Sequence, residues 1–280
     1  KADVRRINKI RPYFKYQDIL IHLACVSNDS SYELNPKLSK TINYDSFEPC
    51  VKLAKKSKIK KFIFASSSSV YGLSEKKNVR EDHPLKPLTD YSKFKAKCEK
   101  VLLKYKSNEF NVVIFRPATV CGYSKRQRLD LSVNILTNFA FHKNYIKVFG
   151  GNQLRPNLHI KDYVRFCEKL ISTENEKING KIFNIGSENQ SILKIAQKVK
   201  KIIKKKLNKN ADIKLYPTND LRSYHINSDK IKNKLNFIPQ FTIEDAIIEL
   251  CDAFTNNLLP QSFEDDFYFN VKRLQRIQAE

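Results

Sequence analysis

The sequence predicts a doubly wound, parallel α/β sheet with a smaller α/β unit interleaved along the chain. Three observations point to it. Short apolar runs alternate with amphipathic helical periods, the pattern of strand, crossover and parallel strand. The run Phe62-Ile63-Phe64-Ala65 is apolar at every position, as a strand covered on both faces requires. Serines 66 to 69 follow it at once, which places hydroxyls at the carboxyl end of that strand.

The elements follow in order. Asp18 to Ala24, reading Asp-Ile-Leu-Ile-His-Leu-Ala, is a strand, and a polar stretch leads from it to a helix over Lys37 to Ser57. Lys61 to Ala65 is the next strand, followed through a loop by a helix over Tyr91 to Tyr105. Asn111 to Arg116 and Lys181 to Ile185 read as further strands. Between Gly122 and Gly180, and again after Gly186, helices, short strands and polar loops replace that rhythm. The run Lys198 to Lys206 carries Val199, Ile202 and Ile203 at helical spacing and reads as the solvated face of an amphipathic helix. The tail from Phe263 to Asn270 has no assignable role.

With 280 residues the chain can bury one large core or two closely packed ones. No apolar run approaches the roughly 18 residues of a bilayer span, and no secretory signal is visible, so no membrane partner is expected. The six cysteines, Cys25, Cys50, Cys98, Cys121, Cys167 and Cys251, lack Cys-x-x-Cys spacing, which suggests neither a disulfide framework nor a metal site. A reducing, cytoplasmic setting is the default reading. The net charge of +23 raises the idea of nucleic acid. Lysine is spread over the whole chain with many Asn and Ile, however, so coding bias explains it better than a recognition stripe. A positive field would still favour an anionic small substrate.

The chemistry concentrates on Ser67, Tyr91 and Lys95. On a helix, Lys95 stands one turn beyond Tyr91 and shares its face. A phenol is a poor base at neutral pH, with a pKa of roughly 10, but a nearby cation favours the phenolate. Tyr91 is then a general base towards a substrate hydroxyl and a general acid in reverse. Ser67, at the strand end 24 residues earlier, can share the same proton. Tyr-x-x-x-Lys alone recurs by chance in a lysine-rich chain; the serine-rich strand end and Val70-Tyr71-Gly72 give it weight.

The set resembles an extended short-chain dehydrogenase/reductase of the NAD-dependent nucleotide-sugar epimerase/dehydratase family. The matching segments run from Asp3-Val4-Arg5 to about Leu250, in the family's order. They include Ile21-His22-Leu23-Ala24, Asn43, Glu81-Asp82-x-Pro84, Tyr91-x-x-x-Lys95, Arg116-Pro117 with Gly122, Arg155-x-x-x-His159-x-x-Asp162, Phe183-Asn184-Ile185-Gly186 and Asp220-x-Arg222-x-Tyr224. The resemblance implies a partial, Rossmann-like NAD(P)-binding domain over residues 1–122 plus about 155–186. It implies a substrate-binding domain over 123–154 and 187–262, and a tail over 263–280.

For the cofactor, NAD or NADP, it implies contacts from Asp3, Val4, His22, Leu23, Ala24, Asn43, Ala65, Tyr91, Lys95, Arg116 and Pro117. The ring of His22 reads as a core histidine, with backbone groups beside the ribose. Asn43 would hold an active-site water or the strand end. For a nucleotide sugar, the resemblance implies Ser67, Ser68, Thr119, Asn134, Arg155 and Arg222, with guanidinium forks suited to a diphosphate. His159 and Asp162 would shape the turn beneath. A homodimer through the helices Lys37 to Ser57 and Tyr91 to Tyr105 is a common family arrangement.

Dinucleotide folds open with a strand, a Gly-x-x-Gly-x-x-Gly turn and a helix, and none of the six glycines here precedes Gly72. By registration on Asp3, roughly the first 60 residues of the family pattern are missing. The expectation is an N-terminally truncated sheet whose strand Asp18 to Ala24 has an open edge. Ser68-Ser69 stand where the family's dehydratases carry Asp-Glu, which argues against water elimination. Thr119 stands where many epimerases have Asn. The expected activity is C4 epimerisation of a nucleotide-diphosphate sugar. A 4-ketosugar reductase using the same residues and a catalytically silent nucleotide-binding relative are the alternatives.

Overall fold

The computed structural model describes residues 2–74, 78–219 and 223–277. The described residues form nine strands. They are β1 (Ile19–His22), β2 (Lys61–Ala65), β3 (Asn111–Pro117), β4 (Thr119–Cys121), β5 (Tyr145–Phe149), β6 (Leu154–His159), β7 (Lys181–Ile185), β8 (Glu188–Ser191) and β9 (Asp212–Tyr216). The main sheet has the order β1-β2-β3-β7 with every pair parallel, so a crossover separates each strand from the next. This is the α/β architecture that the alternation predicts.

Side-chain alternation explains why helices cover both faces. In β2, Phe62 and Phe64 point to one side and join Phe47, Val51, Cys98 and Leu102 from the helices Phe47–Lys56 and Asp90–Lys104. Ile63 and Ala65 point to the other and join Phe166 and Leu170 of the helix Ile160–Ser172. A strand with no polar side has no solvent-facing register available to it. Lys61, the charged first residue of β2, is buried nonetheless. Its ammonium donates to the carbonyls of Leu170, Ile171 and Thr173 at 3.0, 2.8 and 2.8 Å and so closes the C-terminal end of that helix.

The expected helix Lys37 to Ser57 is broken. Pro36–Lys40 and Phe47–Lys56 are α-helical, but Thr41–Asp45 forms a wider π turn, in which the Ser46 N–H bonds Thr41 O at 3.1 Å. Pro49 supplies the reason, since its ring has no N–H and would clash with the carbonyl four residues back in a regular α-helix. The widened turn carries Asn43 to the loop after β1. Strand β1 is also shorter than the expected Asp18 to Ala24, because the chain leaves the ladder after His22.

Outside the main sheet lie a three-stranded sheet, β4-β6-β8, and a parallel pair, β5-β9. The helices Ser132–Lys143, Ile192–Leu207 and Ile243–Thr255 pack together around β5. Val199 and Ile203 are buried, while Lys198 pairs with Glu188 and Glu244, and Lys206 with Asp252. The lysine run is therefore an amphipathic helix face, partly paired. The tail folds back through the turn Asp266–Tyr268 and the helix Asn270–Arg276, with Tyr268 buried beside Leu129, Leu250, Phe254 and Leu259. No helix among the described residues is long and apolar enough to cross a membrane.

Candidate active site

A cavity of about 860 Å³ opens at the carboxyl ends of β1, β2 and β3 and extends over the loop 122–131 towards β6. Parallel α/β sheets place ligands in this position, where successive crossovers leave a crevice beyond the strand ends. Its wall includes Leu23, Ala65, Ser67, Ser68, Tyr91, Lys95, Pro117, Thr119, Asn134 and Arg155, so these expected site residues share one cleft.

Local capping fixes where Tyr91 and Lys95 point. Thr89 caps the helix Asp90–Lys104 through a reciprocal bond with Ser92, and its hydroxyl also reaches the Asp29 carboxylate of the loop after β1. Tyr91 is thereby held as the second residue of a helix, where the partial positive end favours an anion. Lys95 is buried, and its ammonium donates to Ala65 O at 2.7 Å and lies 5.9 Å from the centre of the Tyr91 ring. Ser67 exchanges a 2.9 Å bond with the Ser69 hydroxyl and accepts from the Ser69 N–H at 3.1 Å.

The electrostatics of the phenol differ from the sequence expectation. Burial is the largest influence on Tyr91 and raises its pKa well above the ordinary value; Cys25 and Asp29 raise it further, and the leading opposing cation is Arg128. Lys95 is not among the leading influences on the phenol, and burial dominates because a charged phenolate in a low-dielectric cleft loses its hydration.

Six expected cofactor residues lie off the cavity wall. Asp3 accepts four hydrogen bonds from Arg5, two on Oδ1 at 2.9 and 3.1 Å and two on Oδ2 at 3.0 and 2.8 Å, and with Val4 lies outside the lining. His22 is a core histidine, packed at 5.0 Å from Phe47 and 5.9 Å from both Phe62 and Phe64. Neither of its ring nitrogens has a hydrogen-bond partner among the described residues, and burial, then the Lys95 charge, lowers its pKa to about 4. Ala24 is not part of the lining, although Leu23 and Cys25 belong to it.

Asn43 accepts from the Val26 N–H at 2.7 Å and donates to Val26 O at 2.9 Å, which ties it to the segment that follows β1. Arg116 is spent inside the protein. It donates to Glu99 Oε1 and Oε2 at 2.9 and 2.6 Å, to the Tyr71 hydroxyl at 2.7 Å and to Glu81 O at 3.1 Å. Four of the five guanidinium N–H donors are engaged inside the protein, and Arg116 is not part of the cavity lining.

On the substrate side, Asn134 lines the cavity while its amide organises the loop. It accepts from the Gly122 N–H at 3.1 Å and donates to Arg128 O at 2.7 Å. Gly122 has φ +98°, and a Cβ there would meet the His159 ring at 2.8 Å, so glycine is required at that turn. His159 accepts from the Lys161 N–H, and Asp162 accepts from the Gln240 and Phe241 N–H groups at 2.9 Å each, which fits their expected role beneath the turn. Arg222 lies outside the described residues.

Two cavity-lining arginines were not anticipated. Arg126 and Arg128 stand in the loop after Gly122, where Arg128 grips Asp130 at 2.9 and 3.0 Å. An Arg-x-Arg pair just beyond a strand-end glycine was the available signal.

With this geometry in hand, comparison with known proteins places the chain. Residues 1–186 match the model of the NAD dependent epimerase/dehydratase family. The chain is 28% identical over 236 residues to an uncharacterised UDP-glucose epimerase of Bacillus subtilis (strain 168), covering 82% of this chain and 72% of that protein. It is 26% identical over 250 residues to the dTDP-D-glucose 4,6-dehydratase of Bos taurus, covering 86% and 68%. A crystal structure of a mutant UDP-glucuronic acid 4-epimerase from Bacillus cereus, in complex with UDP-4-deoxy-4-fluoroglucuronic acid and NAD, superposes with a TM-score of 0.80 at 25% identity, over 91% of this chain and 81% of that one.

Proposed function

The chain belongs to the NAD dependent epimerase/dehydratase family, and from that premise we propose that it inverts C4 of a nucleotide-diphosphate sugar by transient oxidation, with Tyr91 exchanging the proton of the C4 hydroxyl. The observation that carries this reading is the convergence of Tyr91, Lys95 and Ser67 on one cleft at the strand ends. The residues present fit the nicotinamide end of NAD. Lys95 uses one ammonium proton on Ala65 O, and its other two have no protein acceptor among the described residues, although the side chain is buried at the cleft wall. Such donors suit ribose hydroxyls, with Leu23, Ala65 and Pro117 as the apolar surround. Bound there, NAD supplies the hydride acceptor and donor and adds positive charge beside the phenol.

The protein's own part is proton traffic and orientation. Tyr91 receives the C4 hydroxyl proton, with Ser67 sharing it, and returns it after the 4-keto sugar has presented its opposite face. Ser68 and Ser69 line the same wall as neutral hydroxyls. Water elimination needs an acid and a base there, so epimerisation is the better supported outcome. Arg126, Arg128 and Arg155 line the far side, where an anionic nucleotide sugar gains most from guanidinium groups.

The test uses UDP-glucuronic acid and UDP-glucose with NAD and follows the C4 proton of the product by NMR. The expected result is C4 inversion with no net NADH, lost in Tyr91→Phe while UDP still binds. Stoichiometric consumption of NAD(P)H on a 4-keto sugar would replace this reading with the reductase.

A further inference from the structure

We propose that Asn270, in the C-terminal segment, is a positioning residue that ties the two rims of the cleft together. One rim is the loop after β1, residues 23–30, and the other is the loop 122–131; Ser27, Arg126, Arg128 and Asp130 line the cavity from these two sides. Asn270 reaches both. Its backbone N–H donates to Asp130 Oδ2 at 3.1 Å, its side-chain Nδ2 donates to Ser27 Oγ at 2.9 Å, and its Oδ1 accepts from Arg126 Nη2 at 3.2 Å. A planar amide carries a donor and an acceptor side by side, so one side chain can hold a hydroxyl and a guanidinium at once. Aspartate lacks the donor, and alanine lacks both.

The segment that presents Asn270 is itself anchored. Tyr268 is buried, and its carbonyl accepts from the Leu129 N–H at 2.9 Å. Asp266 forms an ion pair with Arg276 at 2.8 Å, and Asp265 caps the turn by accepting from the Phe267 N–H at 2.8 Å. Arg126 is gripped a second time, donating to Phe267 O at 2.7 Å with its guanidinium 4.5 Å from the Phe267 ring centre. On the opposite rim, Ser27 Oγ also accepts from Arg128 at 3.4 Å. The Ser27 hydroxyl is thus the crossing point of three segments distant in sequence. Long arginine side chains lose considerable rotamer entropy when a ligand orders them. Here that ordering happens on folding, and the cleft is held at a fixed width before any ligand arrives.

Two arms test the proposal on the full chain. Hydrogen exchange on Asn270→Ala is expected to run about tenfold faster in both rims, 23–30 and 122–131, as local opening becomes easier. Ser27→Ala, which leaves the tail's own residues intact, is expected to loosen 23–30 and 268–276 together. If either rim keeps its parental exchange rate in Asn270→Ala, or, should Ser27→Ala alone fold, if 23–30 or 268–276 keeps its parental rate in that variant, the tie does not exist.

The second arm rests on the nucleotide-sugar reading and measures UDP affinity by calorimetry. Asn270→Ala is expected to weaken it by about tenfold with the melting temperature nearly unmoved, and by less than about twofold when Arg126 is already alanine. A lower melting temperature with unchanged UDP affinity would make Asn270 merely structural and overturn the positioning role. A parent chain that ignores UDP would count against the nucleotide-sugar reading, while the exchange arm still decides the tie.

Discussion

Replacing Glu99 with Gln should cost far more stability than any surface charge change in this chain. Glu99 and Arg116 form a two-pronged pair at 2.9 and 2.6 Å, and each side chain is only 3% exposed. Glu99 Oε1 also accepts from Ser66 Oγ at 2.5 Å, so the carboxylate has no spare water-facing lone pair to lose cheaply. In Glu99→Gln the guanidinium keeps its charge in a buried site while one of its acceptors becomes an amide donor. Breaking a buried pair on one side costs about 3–5 kcal/mol. The internal control is Lys93–Asp90, a pair of similar length at 3.0 Å but 50% and 47% exposed, for which Asp90→Asn should cost about 0.5 kcal/mol or less.

Urea unfolding followed by far-UV circular dichroism reads both, the chain having no tryptophan. With a slope of roughly 3 kcal/mol per molar or above, the midpoint of Glu99→Gln should fall by about 1 M, and that of Asp90→Asn should barely move. Equal midpoints for the two variants would refute the assignment of Arg116 to a buried structural network. The companion double variant Glu99→Leu with Arg116→Met should recover part of the loss, because it removes both charges together.

Three further outcomes follow from the site. Lys95→Met should lower turnover by at least about 100-fold with the circular dichroism spectrum unchanged, since it removes the cleft-wall ammonium but keeps the stem. His22 is held neutral by burial, with a folded pKa of about 4 against an ordinary 6.5. The unfolded chain therefore binds more protons between those values, and stability that is complete above pH 6.5 should be lost as pH falls towards 4, by roughly 3 kcal/mol at most; His22→Phe should flatten that acid limb in pH-dependent unfolding. Gly122→Ala, forced to keep a left-handed φ of +98° against the His159 ring, should lower stability by about 1–3 kcal/mol and accelerate amide exchange in residues 122–128.

Much of the fold was legible because it depends on short-range pattern. Phe62 to Ala65 leaves a strand no polar face, and the expected helix Tyr91 to Tyr105 differs from Asp90–Lys104 by one residue at each end. The broken helix was not legible in the same way. Residues 37–57 keep a helical apolar period through Pro49, and only the tertiary need to bond Val26 shows where the extra residue is accommodated. Arg116 was misread for a similar reason. A motif arginine at a strand end can serve a ligand or a buried carboxylate with equal ease, and its partner Glu99 lies on a different element, 17 residues back. Asn270 lies 243 residues from Ser27, a separation at which no local pattern carries information.

The sign of the shift on Tyr91 shows most clearly where spacing stops being informative. Tyrosine and lysine one helical turn apart tell which charge is near the phenol, but not how much water the pair has lost. In the folded cleft burial is the dominant influence, and Cys25 and Asp29 of the segment after β1 push the same way, so the phenol keeps its proton at neutral pH. On the proposed function, that state is the one that would act as an acid towards a ketone. To act as a base it needs further positive charge beside the ring, and Arg128 is the opposing cation already in place. Arg128 is fixed in turn by Asp130 and by the Ser27 hydroxyl that Asn270 also holds. On the proposed function and the proposed clamp, the proton chemistry on one wall of the cleft and the tie across its mouth would be coupled through the Arg128 guanidinium.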